Sequence, residues 1–214
     1  NTDGLDDIYV SVAGKWKNRE NILYVNKGLD ENGIPVFEDM AEEYGLNDEG
    51  YSIQTAFFDY DNDGDLDVFV ANYPPTPFNY TTREYKKLMD NPTWENSDHL
   101  YKNNGDNTFS DVTEEAQVLR YGLSIGVVTN DFNNDGLTDL YVSNDFHTPD
   151  FFYLNNGDGT FKEVSQETLQ HTAFYGMGID AADYNNDGLM DFMQLDMAAA
   201  DHFRSKANMA SMDP

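Results

Sequence analysis

The chain has 214 residues, 40 acidic against 12 basic side chains, a formal net charge of −28 and no cysteine. That balance argues against nucleic acid and anionic lipid as partners, since both are held through Lys and Arg, and it excludes disulfides within the chain. The 14 tyrosines and 14 phenylalanines argue against a disordered acidic chain, and no apolar run reaches the 18 residues of a membrane span.

The chain opens inside an acidic loop, Asn1-Thr2-Asp3-Gly4-Leu5-Asp6-Asp7. Fuller copies follow as Asp59-Tyr60-Asp61-Asn62-Asp63-Gly64-Asp65-Leu66-Asp67, Asp131-Phe132-Asn133-Asn134-Asp135-Gly136-Leu137-Thr138-Asp139 and Asp183-Tyr184-Asn185-Asn186-Asp187-Gly188-Leu189-Met190-Asp191. Each complete copy places oxygen side chains at positions 1, 3, 5 and 9, a carbonyl donor at position 7 (Leu5, Asp65, Leu137, Leu189) and the turn glycine at 6. In the truncated first copy, Asn1, Asp3 and Asp7 remain at positions 3, 5 and 9. Oxygen-only ligands at alternating positions suit a hard cation, calcium above all. Two acids in the first loop, four in the second and three in each of the others make twelve of the 40 acidic residues ligands. Four bound calcium ions would bring the charge from −28 to −20. Metal-free hairpin turns use the same residue types, but a turn needs one or two of them, not four at one spacing repeated four times.

These loops are not EF-hands, which end in a bidentate Glu at position 12. That position is Val10, Val70, Val142 or Gln194 here. The flanks, such as Ala56-Phe57-Phe58 and Val68-Phe69-Val70, read as buried strands. The loop glycines fall at 4, 64, 136 and 188, a period that signals a repeat architecture.

A hairpin lies between successive loops. Asn21 to Gly28 leads to Val36 to Met40, His99 to Gly105 to Thr108 to Val112, and Phe151 to Gly157 to Thr160 to Val164. The first copy turns through the longer Asn32-Gly33-Ile34-Pro35; the others use an Asn-Gly turn, read as plain hairpin chemistry. Each unit thus offers four strands, which is a propeller blade. The expectation is an all-β, β-propeller fold of four-stranded antiparallel blades in one partial domain over 1–214. Its blades run over 1–47, 48–119, 120–171 and an incomplete 172–197, with a tail at 198–214. An open half-ring would expose apolar edges, so the expected whole is a fragment of a larger propeller, with any export signal or lipid anchor upstream of residue 1.

The second unit carries an insertion over 72–96. Thr81-Thr82-Arg83-Glu84 reads as a capping box opening a short helix from Tyr85 to Met89. Tyr73, Phe78, Tyr80 and Trp94 make it the most aromatic loop, a candidate surface for a partner or ligand; packing over a blade edge is the alternative.

The loops resemble the calcium-binding FG-GAP/VCBS repeats of integrin α-subunit propellers. The stretch Leu100 to Thr113 resembles the repeat of the cartilage-acidic-protein-like (ASPIC/UnbV-associated) family. So do Asn72-Tyr73-Pro74-Pro75, Ser143-Asn144-Asp145-Phe146, His171-Thr172 with Gly176-Met177-Gly178, and Leu195-Asp196-Met197 followed by Asp201 and Arg204. The last set is most similar to large surface-exposed Bacteroidota members, often lipoproteins. The resemblance implies a β-propeller, calcium-dependent structure, an extracellular or outer-membrane surface location and no defined reaction. The truncated first loop and the long first turn depart from the pattern.

Gly122-Leu123-Ser124-Ile125-Gly126 matches the nucleophile-elbow pattern, but Ser124 aligns with Ser52 and Gly176 as a repeat position. Gly176-Met177-Gly178 is followed by an acidic loop where a dinucleotide-binding helix would start. The histidines show no metal-ligand spacing. The expected protein is a non-enzymatic, calcium-binding surface module with a protein partner, plausibly an outer-membrane complex. A glycan-binding propeller is the alternative, and a calcium-dependent polysaccharide lyase ranks last. On carboxylate count, the second loop is expected to bind calcium most tightly.

Overall fold

The computed structural model describes residues 3–14, 19–77, 79–146 and 148–197. Asn1, Phe78 and the tail at 198–214 lie outside them. The described residues form four antiparallel sheets. The first holds β1 (Ile8–Val10), β2 (Ile22–Leu29) and β3 (Pro35–Asp39). The second orders β4 (Ser52–Phe58), β5 (Asp67–Asn72), β6 (His99–Asn103) and β7 (Phe109–Asp111) as a meander. The third repeats it with β8 (Ser124–Asn130), β9 (Asp139–Asn144), β10 (Phe151–Asn155) and β11 (Phe161–Glu163). The fourth pairs β12 (Gly176–Ala182) with β13 (Asp191–Asp196). The register repeats too. The opening strands of the second, third and fourth sheets each carry one irregularity, at Ser52/Gln54, Ser124/Gly126 and Gly176/Gly178.

The second strand of each complete sheet is buried on both faces, which is why it reads as a continuous apolar run. Val68 and Val70 face the first sheet and pack with Leu23, Val25 and Leu46. Phe69 and Ala71 point the other way and pack with Leu140 and Val142 of the third. Tyr141, on the opposite face from Leu140, packs with Phe152, Ile179 and Phe192 of the third and fourth sheets. Successive sheets are therefore stacked face to face. Their opening strands approach one another, with the Gln54 amide both donating to and accepting from the Val127 backbone at 3.2 and 3.1 Å. This is the blade arrangement of a propeller.

A polar device repeats at the end of the sheets opposite the loops. The residue before the third strand, or before its counterpart β2 in the first sheet, is Asn21, Asp98 or Asp150. Its side chain accepts the backbone N–H of Val12, two residues past β1, at 2.7 Å, or of the last residue of the second strand, Asn72 at 2.8 Å and Asn144 at 2.7 Å. Its second polar atom then reaches onward. Asn21 donates to Ser52 and Asp98 accepts from Ser124, both at 2.8 Å, so each joins its sheet to the first residue of the next opening strand. In the fourth sheet that residue is Gly176, where a Cβ would stand 2.6 Å from the Asn144 carbonyl oxygen. Asp150 accepts from the Tyr141 hydroxyl instead, at 2.8 Å.

Three short helices fill the connections: α1 (Ala41–Tyr44), α2 (Thr82–Asp90) and α3 (Ser165–Thr168). The insertion forms α2 as the sequence predicts, beginning three residues earlier than Tyr85. The Glu84 carboxylate accepts both the Thr81 N–H and the Thr81 hydroxyl at 2.7 Å. Trp94–Asn96 adds a 3₁₀ turn before β6.

Candidate metal centres

The acidic loops join the first and second strands of their sheets. Their ends are clamped by the closing pairs Phe58↔Asp67, Asn130↔Asp139 and Ala182↔Asp191. Between those anchors the chain folds on itself. Position 4 is left-handed in all three complete loops (Asn62, Asn134 and Asn186, φ 58° to 61°), a conformation asparagine tolerates better than other non-glycine residues. Position 6 is glycine at φ 84° to 95°.

The carboxylates are oriented by backbone donors. Asp59 at position 1 accepts from Asp63 and Gly64 N–H at 3.2 and 3.0 Å; Asp131 and Asp183 do the same with their own positions 5 and 6. The position-5 carboxylates of Asp3, Asp63, Asp135 and Asp187 each accept the N–H of position 7, so Leu5, Asp65, Leu137 and Leu189 are held by the ring of the loop. Asp67 and Asp139 at position 9 are fully buried in their strands. Asn133 and Asn185 stand at position 3, and Asn133 donates to Asp135 at 2.8 Å. Asp191 opens β13.

In the second loop, oxygens of Asp59, Asp61 and Asp67 lie within 4.8 Å of one another. Two observations test whether a cation fits there. Asp61 Oδ1 is buried without a hydrogen-bond partner, an unmet acceptor on a residue of the cluster. Burial also pushes the Asp67 carboxyl up to about 6, against two backbone N–H donors, with the charges of Asp61 and Asp63 adding to the rise. The third loop shows the same strain: burial raises Asp139, and Asp135 and Asp131 add to it. Carboxylates that cannot share one site as anions at low cost, arranged with oxygen-only donors, fit a hard divalent cation.

A second set of residues holds these loops. The last residue of the third strand, or its counterpart in β2, is Asn26, Asn103 or Asn155. Its backbone N–H donates to the position-9 carboxylate of its own sheet, Asp7, Asp67 or Asp139, at 2.8 to 2.9 Å. Its side-chain amide donates to the position-8 carbonyl, of Asp6, Leu66 or Thr138, at 3.0 to 3.2 Å. Its Oδ1 accepts the N–H of Gly28, Gly105 or Gly157 at 2.9 Å. The sequence shows these asparagines at a fixed place in each hairpin, yet read alone they are ordinary turn residues. Asn155 goes further, donating to the Tyr60 carbonyl of the neighbouring second loop at 2.7 Å. Asn155→Ala is expected to cost about 2–3 kcal/mol in urea unfolding, since Asn155 is buried and several partners lose it at once. Asn103→Ala, whose amide is exposed, should cost about half as much.

The insertion does not present its aromatics as one platform. Tyr73 and Tyr80 pack with Tyr85 of α2 and with Tyr121 and Leu123 of the segment leading into β8, and the Tyr73 hydroxyl donates to Asp145 at 3.2 Å. Trp94 stands apart, 38% exposed, with one face stacked on buried His99 at 4.0 Å and its indole N–H donated to Asp111 at 2.5 Å. Ser124 of the G-x-S-x-G match is fully buried at the start of β8, donating to Asp98, not on the strand-to-helix turn of a nucleophile elbow.

The FG-GAP-like repeat model matches residues 1–70, 91–142 and 131–193, most of the chain. Over 85 residues the chain is 29% identical to cartilage acidic protein 1 of Xenopus tropicalis, and over 84 residues 31% identical to that of Homo sapiens. Each match covers 39% of this chain and 13% of the relative's own length. Repeated strand–loop–strand units with their acidic turns, sheets stacked as blades and these matches agree: the chain belongs to the FG-GAP-like repeat family.

Proposed function

We propose that this chain is part of a calcium-stabilised extracellular β-propeller that acts as a protein-interaction module. The observation that carries the reading is the second loop, where oxygens of Asp59, Asp61 and Asp67 lie within 4.8 Å of one another and Asp61 keeps a buried, unpartnered Oδ1. In this reading Asp59, Asp61, Asp63 and Asp67 hold the ion with the Asp65 carbonyl. Asp131, Asn133, Asp135 and Asp139 do so with Leu137, and Asp183, Asn185, Asp187 and Asp191 with Leu189. Asn1, Asp3 and Asp7 with Leu5 are the corresponding set of the first loop. Bound calcium supplies neutralising charge and fixes the turn that starts each blade; the asparagine hooks then transmit that order to the third strand.

The location follows from the chemistry. Loops of this kind with dissociation constants of about 10⁻⁴–10⁻³ M fill outside the cell. Among the described residues no helix is long and apolar enough to cross a membrane. Sheet faces buried between blades leave loops and blade edges as the surfaces for a protein partner, one that would belong to an outer-membrane complex if the protein is bacterial. The glycan-binding reading gains no support from the insertion, since Tyr73 and Tyr80 are engaged in packing and Trp94 lies apart from them.

The test is an affinity purification of the tagged full-length protein from detergent-solubilised cells, with calcium and with chelator. The expected result is a stoichiometric protein partner recovered only with calcium. Recovery alone in both conditions, together with retention on a glycan array, would overturn the reading in favour of the lectin.

A further inference from the structure

Among the side-chain ligand positions 1, 3, 5 and 9, the three complete loops differ only at position 3. The second has Asp61 at position 3, where the third and fourth have Asn133 and Asn185. It is also the loop into which a lysine is built. Lys102, on β6, places its Nζ against Asp61 and 3.3 Å from Asp63. It is adjacent to Asn103, the residue whose backbone N–H holds Asp67. The equivalent strand position is Val25 in the first sheet and Leu154 in the third, both aliphatic. The extra carboxylate and the extra ammonium thus occur in the same unit and touch each other.

The charges then balance across the repeat. The second loop has four ligand carboxylates and one ammonium; the third and fourth have three carboxylates each. Counting only these groups, each ligand set carries about −3 at neutral pH by their ordinary ionisation; the Asp65 side chain, outside the set, adds one further carboxylate to the second loop. The ammonium takes the side of Asp61 away from the unpartnered Oδ1: the lysine contacts Oδ2. Its side chain is 35% exposed, so it can leave for solvent without a change in the strand.

We propose that Lys102 is a tethered counter-cation of the second loop. It compensates Asp61 when the loop holds no metal and lowers the loop's affinity for calcium to that of a three-carboxylate site. The inference rests on the calcium reading above. It replaces the ranking by carboxylate count alone, under which the second loop would bind most tightly.

The experiment is a calcium titration by isothermal calorimetry with melting curves in calcium and in EDTA, on the wild type, Lys102→Met and the double variant Asp61→Asn/Lys102→Leu. The double variant carries the residue pair of the third sheet. For Lys102→Met, the expected result is one site tightened by at least about tenfold, because a unit charge close to the ion is removed. Its melting temperature should fall in EDTA and not in saturating calcium. The double variant should return both properties to wild-type values. Calcium affinity that is unchanged or weakened in Lys102→Met, with an unchanged melt in EDTA, would overturn the proposal; a weakened site would make Lys102 a positioning residue instead. If Lys102→Met does not fold in EDTA, the double variant and the calcium-loaded titration still decide. A wild type that takes up no calcium would remove the calcium reading itself, an outcome distinct from a wild type that binds while the variant does not differ.

Discussion

Asp98→Ala is expected to destabilise the chain by about 2–3 kcal/mol at pH 5. Asp98 is 2% exposed and accepts two hydrogen bonds at 2.8 Å, from the Asn72 N–H and the Ser124 hydroxyl. Alanine leaves the Asn72 N–H buried without its acceptor, at about 1–3 kcal/mol, and leaves the Ser124 hydroxyl only the longer bond to Asn144 at 3.1 Å. The loss also unfastens the second sheet from the third. Burial pushes the Asp98 carboxyl up to about 7, against the opposing effect of those hydrogen bonds. The sign follows from linkage. Between about pH 4 and 7 the folded chain keeps a proton on Asp98 that the unfolded chain has lost, so this residue's contribution to stability falls as pH rises through that window. Asp98→Asn removes that titration. The stability of wild type relative to Asp98→Asn should therefore fall from pH 4 to pH 7.5, by up to about 4 kcal/mol. Urea unfolding at a series of pH values checks it, and a difference that is flat or rises with pH would contradict the assignment. The neighbouring Asp48–His99 pair titrates as well. Burial opposes both charges, but their hydrogen bond and mutual attraction win, holding Asp48 low and His99 high. The pair is present in both proteins and cancels in the difference to first order.

Removing calcium is the second large effect. Three sites with dissociation constants of about 10⁻⁴–10⁻³ M, at about 10 mM calcium, each add about 1.4–2.7 kcal/mol to the folded state. Together they amount to about 4–8 kcal/mol, which lowers Tm by more than about 10 °C in excess EDTA for a chain of this size. Magnesium at the same concentration should restore less of the loss, because it demands a tighter octahedral shell than these flexible loops offer. A Tm equal in calcium and EDTA, measured by calorimetry, would count against a structural role for the ion.

The local architecture was legible where it depends on local chemistry. The spacing of Asp and Asn around Gly64, Gly136 and Gly188 marks the loops, the apolar runs on either side mark β4 and β5 or β8 and β9, and the Asn-Gly pairs mark the hairpins. The capping box marks α2. What the sequence hid are bonds between residues far apart in the chain. Asn155 reaches Tyr60, and Asp98 joins Asn72 to Ser124, through side-chain geometry that only stacked sheets create. Asn21, Asp98 and Asp150 do not even share a residue type, so the repeated staple cannot be seen as a repeat until the strands are aligned in space. Lys102 was hidden likewise: a lone lysine in LYKNNG reads as a surface residue, and its role appears only beside Asp61. The insertion reads as a candidate surface because it is the most aromatic loop, with packing over a blade edge as the alternative; Tyr121 and Leu123, which Tyr73 and Tyr80 pack with, come later in the chain.

The central claim is that the acidic loops are metal sites that hold the blades. The most direct measurement is the calcium-to-protein ratio by atomic emission after gel filtration in about 1 mM calcium, on the wild type and on Asp131→Ala and Asp183→Ala. The account predicts a ratio of about 1.5–2.7 for the three complete loops at these affinities, falling by about a third in each variant. A ratio below one, or one that both variants leave unchanged, would contradict it.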